Sequence, residues 1–522
     1  MQKENSYGLK GKNVKSIFDE IGFMNNKRLG RCFQTRRKKY YFDTGTGKVF
    51  EVNSNVYYIL QKILDNADKE DLLNDSDVTV EALNEVYSSI MQENILKAPV
   101  LEGFIGSQIT DLEGQLTKHR AQVTLELTER CNLRCKYCIY NEGQGGYRNF
   151  GNRDMTYEIA KQGIDDLIEN SGDDSIYVGF YGGEPLLKFD LMKRCIDYCE
   201  TISGKDITYA ITTNGTLMTN EIAQYFAKLG RKIHITLSLD GPQAINDKYR
   251  VYKNGKGTFS DVLKGLKNLL EAFKDKDTLS LGINTVLSEP TTDNLDKIET
   301  FFEELPGLPD NVIYTSSFVA TKDKAMDYLG VDSEVEREIF FNSNHINDYF
   351  DPLFTWATSE IDGEDVTEKR IAHENVVKEL ALIHKRLLFD KPMPYYYLNG
   401  CCVPGARRVY VTTTGDYLLC EKMGPSPTIG NVYTGLDISR IKEFYVDKFC
   451  DEAKRYCKDC WAVHLCGMCY MNCFEEENVN FKYRHSKCIM NRLYIQKNLE
   501  LYHEILENNP QVLQVVDKYD FV

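Results

Sequence analysis

Between Gln122 and Ala320, six short runs rich in Val, Ile, Leu and Thr recur: VTLELT, IYVGFYGG, ITYAITTNG, KIHITLSLDG, LSLGINTVL and NVIYTSSFVA. Stretches of helical periodicity separate them, such as Tyr157 to Glu169 and Glu221 to Leu229. Strand-like runs alternating with helix-length segments predict parallel β/α units. Gly172 and Gly230 stand near the ends of those two helices, where a C-terminal cap is expected. Six such units make an incomplete barrel, open on one side.

The chain has 522 residues, 42% of them hydrophobic, so it can bury a large core and predicts about three domains. Its net charge of -15 gives no global basic field, which argues against a nucleic-acid partner. The opening MQKENSYGLKGKN lacks the apolar centre of a signal peptide. Nowhere do 18 or more apolar residues run together, so a soluble, cytoplasmic protein with no membrane partner is expected. Sixteen cysteines in a reducing compartment point to metal or cluster ligation rather than disulfides, and only Cys32, Cys195, Cys199 and Cys450 fall outside two groups.

Ahead of the β/α region, CFQTRRKKYYFDTGTGKVFEVN predicts a hairpin turned at Thr-Gly-Thr-Gly. Amphipathic helices follow at Val56 to Leu64 and Val80 to Ile95, so residues 1–105 form a separate small module. Residues 321–398 read as a charged, mainly helical connector, and 491–522 as a helical tail.

The first cysteine group, CNLRCKYC, places Cys131, Cys135 and Cys138 just after the first strand of the β/α region, with the aromatic Tyr137 before the last thiol. Three thiolates on one short loop leave one iron of a cubane open to a further ligand. The alternatives are a zinc site or buried free cysteines. The spacing resembles that of the radical S-adenosylmethionine superfamily, and the resemblance covers roughly residues 120–320. It implies a partial (β/α)6 TIM-like barrel, a four-iron cluster on the three cysteines, and S-adenosylmethionine chelated to the open iron and cleaved to a 5'-deoxyadenosyl radical. Further motifs match it. YGGEP implies cofactor contacts from Gly183 and Glu184, ITTNG from Thr213 and Asn214, and SLDG from Ser238 and Asp240, with Tyr137 and Arg250 completing the set. Each of these is otherwise ordinary turn chemistry.

In residues 399–490, Cys402 and Cys420 flank Gly415, and Cys457, Cys460, Cys466, Cys469, Cys473 and Cys488 follow. This resembles the SPASM extension, which implies two auxiliary four-iron clusters and three clusters in all. By the resemblance, Cys457, Cys460, Cys466 and Cys488 hold the outer cluster, and Cys402, Cys420 and Cys473 the inner one. Cys401 and Cys469 are alternatives for the inner site, which then has three or four protein ligands. A zinc module is the bland reading. Glu421 follows Cys420 where sulfatase-maturing relatives place an acidic base; otherwise it is a surface glutamate.

The order of parts is similar to SPASM peptide maturases of the thioether-forming, sactipeptide or ranthipeptide kind. The resemblance implies a winged-helix-like module at residues 1–105 that binds a leader peptide as an added strand, with Arg36, Arg37, Lys38 and Lys39 attracting acidic residues. It also implies an electron donor such as flavodoxin or ferredoxin, and an oxidative bond from a cysteine sulfur to carbon in a precursor peptide. Formylglycine formation, a carbon-carbon crosslink and a non-catalytic zinc-bearing peptide-binding protein are the rival readings.

Overall fold

The computed structural model describes residues 2–22, 26–118, 120–141, 150–288, 292–318, 380–471 and 473–517. Most of the expected connector, residues 321–379, lies outside them.

The six expected strands form at Gln122–Thr128, Ser175–Gly182, Asp206–Thr213, Ile233–Ser238, Ser280–Leu287 and Ile313–Phe318. They pair in parallel, each beside its predecessor in the chain. Their branched side chains, such as Val123, Leu125, Val178 and Ile235, are buried, as a sheet covered by helices requires. Thr156 and Thr219 cap the helices Tyr157–Asn170 and Asn220–Leu229 by accepting from the Ile159 and Ile222 amides. Gly230 ends the second helix at φ +60°, where a side chain would be strained. The expectation for Gly172 does not hold: the first helix stops at Asn170 and Ser171 is already extended, so no left-handed residue is needed.

The sheet does not end with the β/α units. Arg408–Val411 pairs in parallel with Gln122–Thr128, and Asp416–Leu418, Gly430–Asn431 and Gly435–Leu436 continue antiparallel, giving ten strands. The start of the cysteine-rich segment is therefore fused to the first strand, with Arg408 in register with Gln122.

In the N-terminal module, Gly30–Gln34, Lys39–Asp43 and Val49–Val52 form an antiparallel sheet of three strands. The expected helices appear at Ser54–Leu64 and Val80–Glu93, and two more, Gln2–Gly22 and Lys69–Asn74, were not anticipated. Side chains alternate across a strand, so the hairpin serves two cores. Cys32 and Tyr41 pack with Val14, Ile59 and Leu83 of the module. Phe33, Tyr40 and Phe42 face the other way, against Leu380, Leu465, Ile495 and Leu499. The long helix Phe481–Asn508 thus covers the far face of the module's sheet. Much of the basic run is engaged within the chain, Arg36 by this helix and Lys38 and Lys39 within the module. Arg36 pairs with Glu504, Lys38 with Glu51 at 2.8 Å, and the Lys39 ammonium lies 5.1 Å from the centre of the Tyr57 ring.

Candidate active site and cysteine centres

The loop carrying Cys131, Cys135 and Cys138 leaves the first strand and is held by backbone. The Arg134 and Lys136 amides donate to the carbonyls of Val251 and Tyr249 at 2.7 and 2.9 Å, and Leu133 is buried. The Gly183 and Glu184 amides donate to the carbonyls of Thr128 and Arg130 at 2.8 and 2.9 Å. A Cβ on Gly183 would sit 2.2 Å from the Arg130 carbonyl oxygen, so this turn reaches the cysteine loop only because it is glycine.

Burial pushes the Cys131 thiol up to about 12 and Cys138 to about 11, and raises Cys135. Neutral thiols are what a buried, metal-free pocket favours; the thiolates a cluster needs are stabilised by its own iron. The Leu133 amide points at Cys131 Sγ at 3.4 Å.

The polar strand ends gather around this loop. Glu184 is buried; its Oε1 accepts from Thr213 Oγ1 at 2.7 Å and the Leu186 amide at 3.0 Å, and its Oε2 from the Asn214 amide at 2.8 Å. Burial raises its pKa and those donors oppose the rise. Asn214 Nδ2 donates to Asn132 Oδ1 at 2.9 Å, tying the third strand to the cysteine loop. Ser238 is buried at the end of the fourth strand. Tyr137 donates to Asp240 Oδ2 at 2.5 Å and accepts from Arg250 Nη1 at 2.8 Å, while Asp240 Oδ1 accepts from the Val286 amide at 3.0 Å. Arg250 and Asp240 approach no closer than 3.9 Å, with the Tyr137 hydroxyl bonded to both. Arg250 Nε is buried and has no hydrogen-bond partner among the described residues.

An orphaned guanidinium N–H near Cys135 and Cys138 is a costly feature for a closed apolar core and a fitting one for a ligand carboxylate. The residues therefore suit a cluster on Cys131, Cys135 and Cys138 with S-adenosylmethionine held by Arg250.

Glu421 is not a surface residue: its side chain is 14% exposed, with Oε2 3.3 Å from Arg408 Nη1. The Tyr140 hydroxyl donates to the Glu421 carbonyl at 3.2 Å. Tyr181 is close enough to sense Tyr140, Glu421, Cys138 and Arg408. These residues lie between the first cysteine loop and Cys420, and the sequence drew attention to none of them except Glu421.

The later cysteines fall into two neighbouring sets. Cys457, Cys460, Cys466 and Cys488 sense one another electrostatically, as Cys402, Cys420 and Cys469 do. Cys401 and Cys473 stand between, each adjoining Cys469, with Cys473 also facing Cys466 and Cys488. Among the described residues, no three His, Cys, Asp or Glu side chains converge as a site for one metal ion would require. Two arginines accompany these thiols, Arg484 and Arg492. A sequence signal for Arg484 exists: it lies one helical turn before Cys488, on the same face. No helix among the described residues is long and apolar enough to cross a membrane.

Residues 125–301 match the Radical SAM superfamily. An uncharacterised protein of Methanocaldococcus jannaschii is 38% identical over 213 residues, 41% of this chain and 66% of that protein. The cysteine-type anaerobic sulfatase-maturating enzyme of Clostridium novyi is 30% identical over 185 residues, 34% of this chain and 46% of the enzyme. The chain thus spans less than two thirds of the length of these relatives. Native anSMEcpe, solved with bound AdoMet and Kp18Cys peptide, has the same fold: TM-score 0.52 at 18% identity, over 77% of this chain and 100% of that one.

Proposed function

We propose that this chain, which carries a Radical SAM superfamily domain over residues 125–301, is a peptide-modifying enzyme that installs oxidative thioether crosslinks in a ribosomally made precursor peptide. The observation that carries the reading is the unpartnered, buried Arg250 Nε beside the cysteine loop, a slot fitted to an amino-acid carboxylate. When bound, the cluster and S-adenosylmethionine supply one-electron cleavage of the sulfonium and hydrogen abstraction from the peptide, and auxiliary clusters take up the electron released as the thiol joins carbon.

The chain's own residues bind and orient. Arg250 holds the cofactor carboxylate, and Asp240 with Tyr137 fixes the guanidinium plane. Glu184 locks the second and third strand ends so that Asn214 and the cysteine loop keep their spacing. Glu421 is the proton acceptor for the peptide thiol, with Arg408 steadying it. The leader peptide adds to the outer edge of Val49–Val52, the last strand of the N-terminal sheet, since both faces of that sheet are covered. An acidic leader has little of the basic run to meet, because Arg36 and Lys38 are paired within the chain. A flavodoxin or ferredoxin supplies electrons, and Cys402, Cys420, Cys457, Cys460, Cys466, Cys473 and Cys488, with Cys401 or Cys469, hold the auxiliary clusters.

The test is the intact mass of a co-expressed precursor together with its count of alkylatable thiols. A loss of two hydrogens and one thiol per crosslink is expected; an unchanged thiol count rules the thioether out. The Clostridium relative favours a second outcome, formylglycine, which would appear as an aldehyde in the peptide.

A further inference from the structure

Arg484 lies on the helix Phe481–Asn508, and the Cys488 thiol one turn on donates to its carbonyl at 3.6 Å. The residue is 4% exposed. Its guanidinium carbon lies 4.9 Å from the centre of the Phe481 ring and 5.8 Å from that of Phe449, which fixes the direction of the long side chain. Nη2 donates to the Met468 carbonyl at 3.3 Å, and the same carbonyl accepts from Cys401 Sγ at 3.7 Å. Arg484 therefore meets both sets: its backbone carbonyl accepts from Cys488 of the outer set, and its guanidinium shares the Met468 carbonyl with Cys401, beside the inner one. Nε, buried as deeply, has no hydrogen-bond partner among the described residues.

Cys466, Cys473, Cys401 and Cys457 lie within electrostatic reach of the guanidinium, and Cys488 is one turn along the same helix, so five thiols share one fixed positive charge. Arg492 is the contrast: it hydrogen-bonds Cys460 and senses Cys488, both in the outer set. An unpaired buried N–H surrounded by sulfur is poor packing for a bare protein and good chemistry toward a cluster, whose potential depends on net charge and on hydrogen bonds to its sulfurs.

We propose that Arg484 is a positioning residue shared by the two auxiliary clusters: its N–H groups donate to cluster sulfur on either side, and its charge raises the reduction potential of both. This rests on the reading that residues 399–490 hold two iron-sulfur clusters. A charge held between two clusters in a poorly screened interior favours the reduced, more negative state of each. It fits the proposed reaction, in which the auxiliary clusters take up the electron released from the peptide.

The experiment uses the full chain with Cys131, Cys135 and Cys138 changed to Ala, so that only auxiliary clusters remain. Iron and sulfide are counted, and the midpoints are read by redox titration with paramagnetic resonance. Arg484→Gln is expected to move both midpoints negative, with about a tenfold change in the oxidised-to-reduced ratio at fixed potential, about 59 mV for a one-electron couple. Arg492→Gln is expected to move the outer midpoint alone, and Arg484→Lys to recover part of both shifts. If Arg484→Gln loses iron from both sets while Arg484→Lys retains it, the shared role also stands. Iron retained with one midpoint or neither displaced overturns the proposal alone. A parent without iron and sulfide overturns the two-cluster reading and the proposal with it.

Discussion

Residues 131–138 keep their shape through backbone bonds to residues 249–252 and through a glycine turn pressed against Arg130, all on a completed parallel sheet. The thiols from Cys401 to Cys488 instead come mostly from irregular connections, with Cys457 and Cys488 on two separate helices, and are joined by Arg484 and a few carbonyls. The first site is built by the fold before any cluster arrives. The second is expected to take more of its local order from the clusters proposed to bind there.

Removing iron and sulfide is the largest test of that contrast. Limited proteolysis after chelation is expected to cut within 420–480 at least about a hundredfold faster, some 3 kcal/mol of local stability at 1.4 kcal/mol per decade, while the β/α sheet resists as before. Equal sensitivity of both regions would break the comparison. Glycine substitutions sharpen it. Gly183→Ala places a Cβ 2.2 Å from a carbonyl oxygen and is expected to cost about 1–3 kcal/mol with or without clusters, read by thermal denaturation. Gly400→Ala, whose Cβ would meet the Gly467 oxygen at 2.0 Å, is expected to lower the melting temperature of the cluster-loaded protein only.

Within the first site, Arg250→Gln is expected to weaken S-adenosylmethionine binding by about ten- to a hundredfold in calorimetry, the range for hydrogen bonds to charged groups. Tyr137→Phe leaves Arg250 in place and removes the hydroxyl between it and Asp240. About a fivefold loss is expected there, and a loss as large as that of Arg250→Gln would make Tyr137 a direct ligand.

The sequence was most legible where local pattern decides structure. The six strands follow from branched residues, three of them with glycine at their ends, and CNLRCKYC sits where a strand-terminal loop was expected. The helix Gln2–Gly22 escaped because only Val14, Ile17 and Ile21 mark its buried face, after a polar first half. The helical tail seemed uninformative because its partners are distant: Glu504 pairs with Arg36, 468 residues away, and Ile495 and Leu499 cover Phe33 and Phe42. The pairing of Arg36 with Glu504 was hidden for the same reason, since no local signal shows that a charge is already paired. Arg408, Tyr181 and Tyr140 also come together only through the parallel pairing of Arg408–Val411 with the first strand.

The central claim is that Cys131, Cys135 and Cys138 hold the cluster that initiates the chemistry while the later cysteines hold others. Anaerobically reconstituted protein, given S-adenosylmethionine and dithionite, is the direct test, with 5'-deoxyadenosine, iron and sulfide all measured. The wild type is expected to form 5'-deoxyadenosine. The variant with those three cysteines changed to Ala is expected to form none while keeping its remaining iron. A colourless, zinc-bearing wild type that leaves S-adenosylmethionine intact would contradict the account.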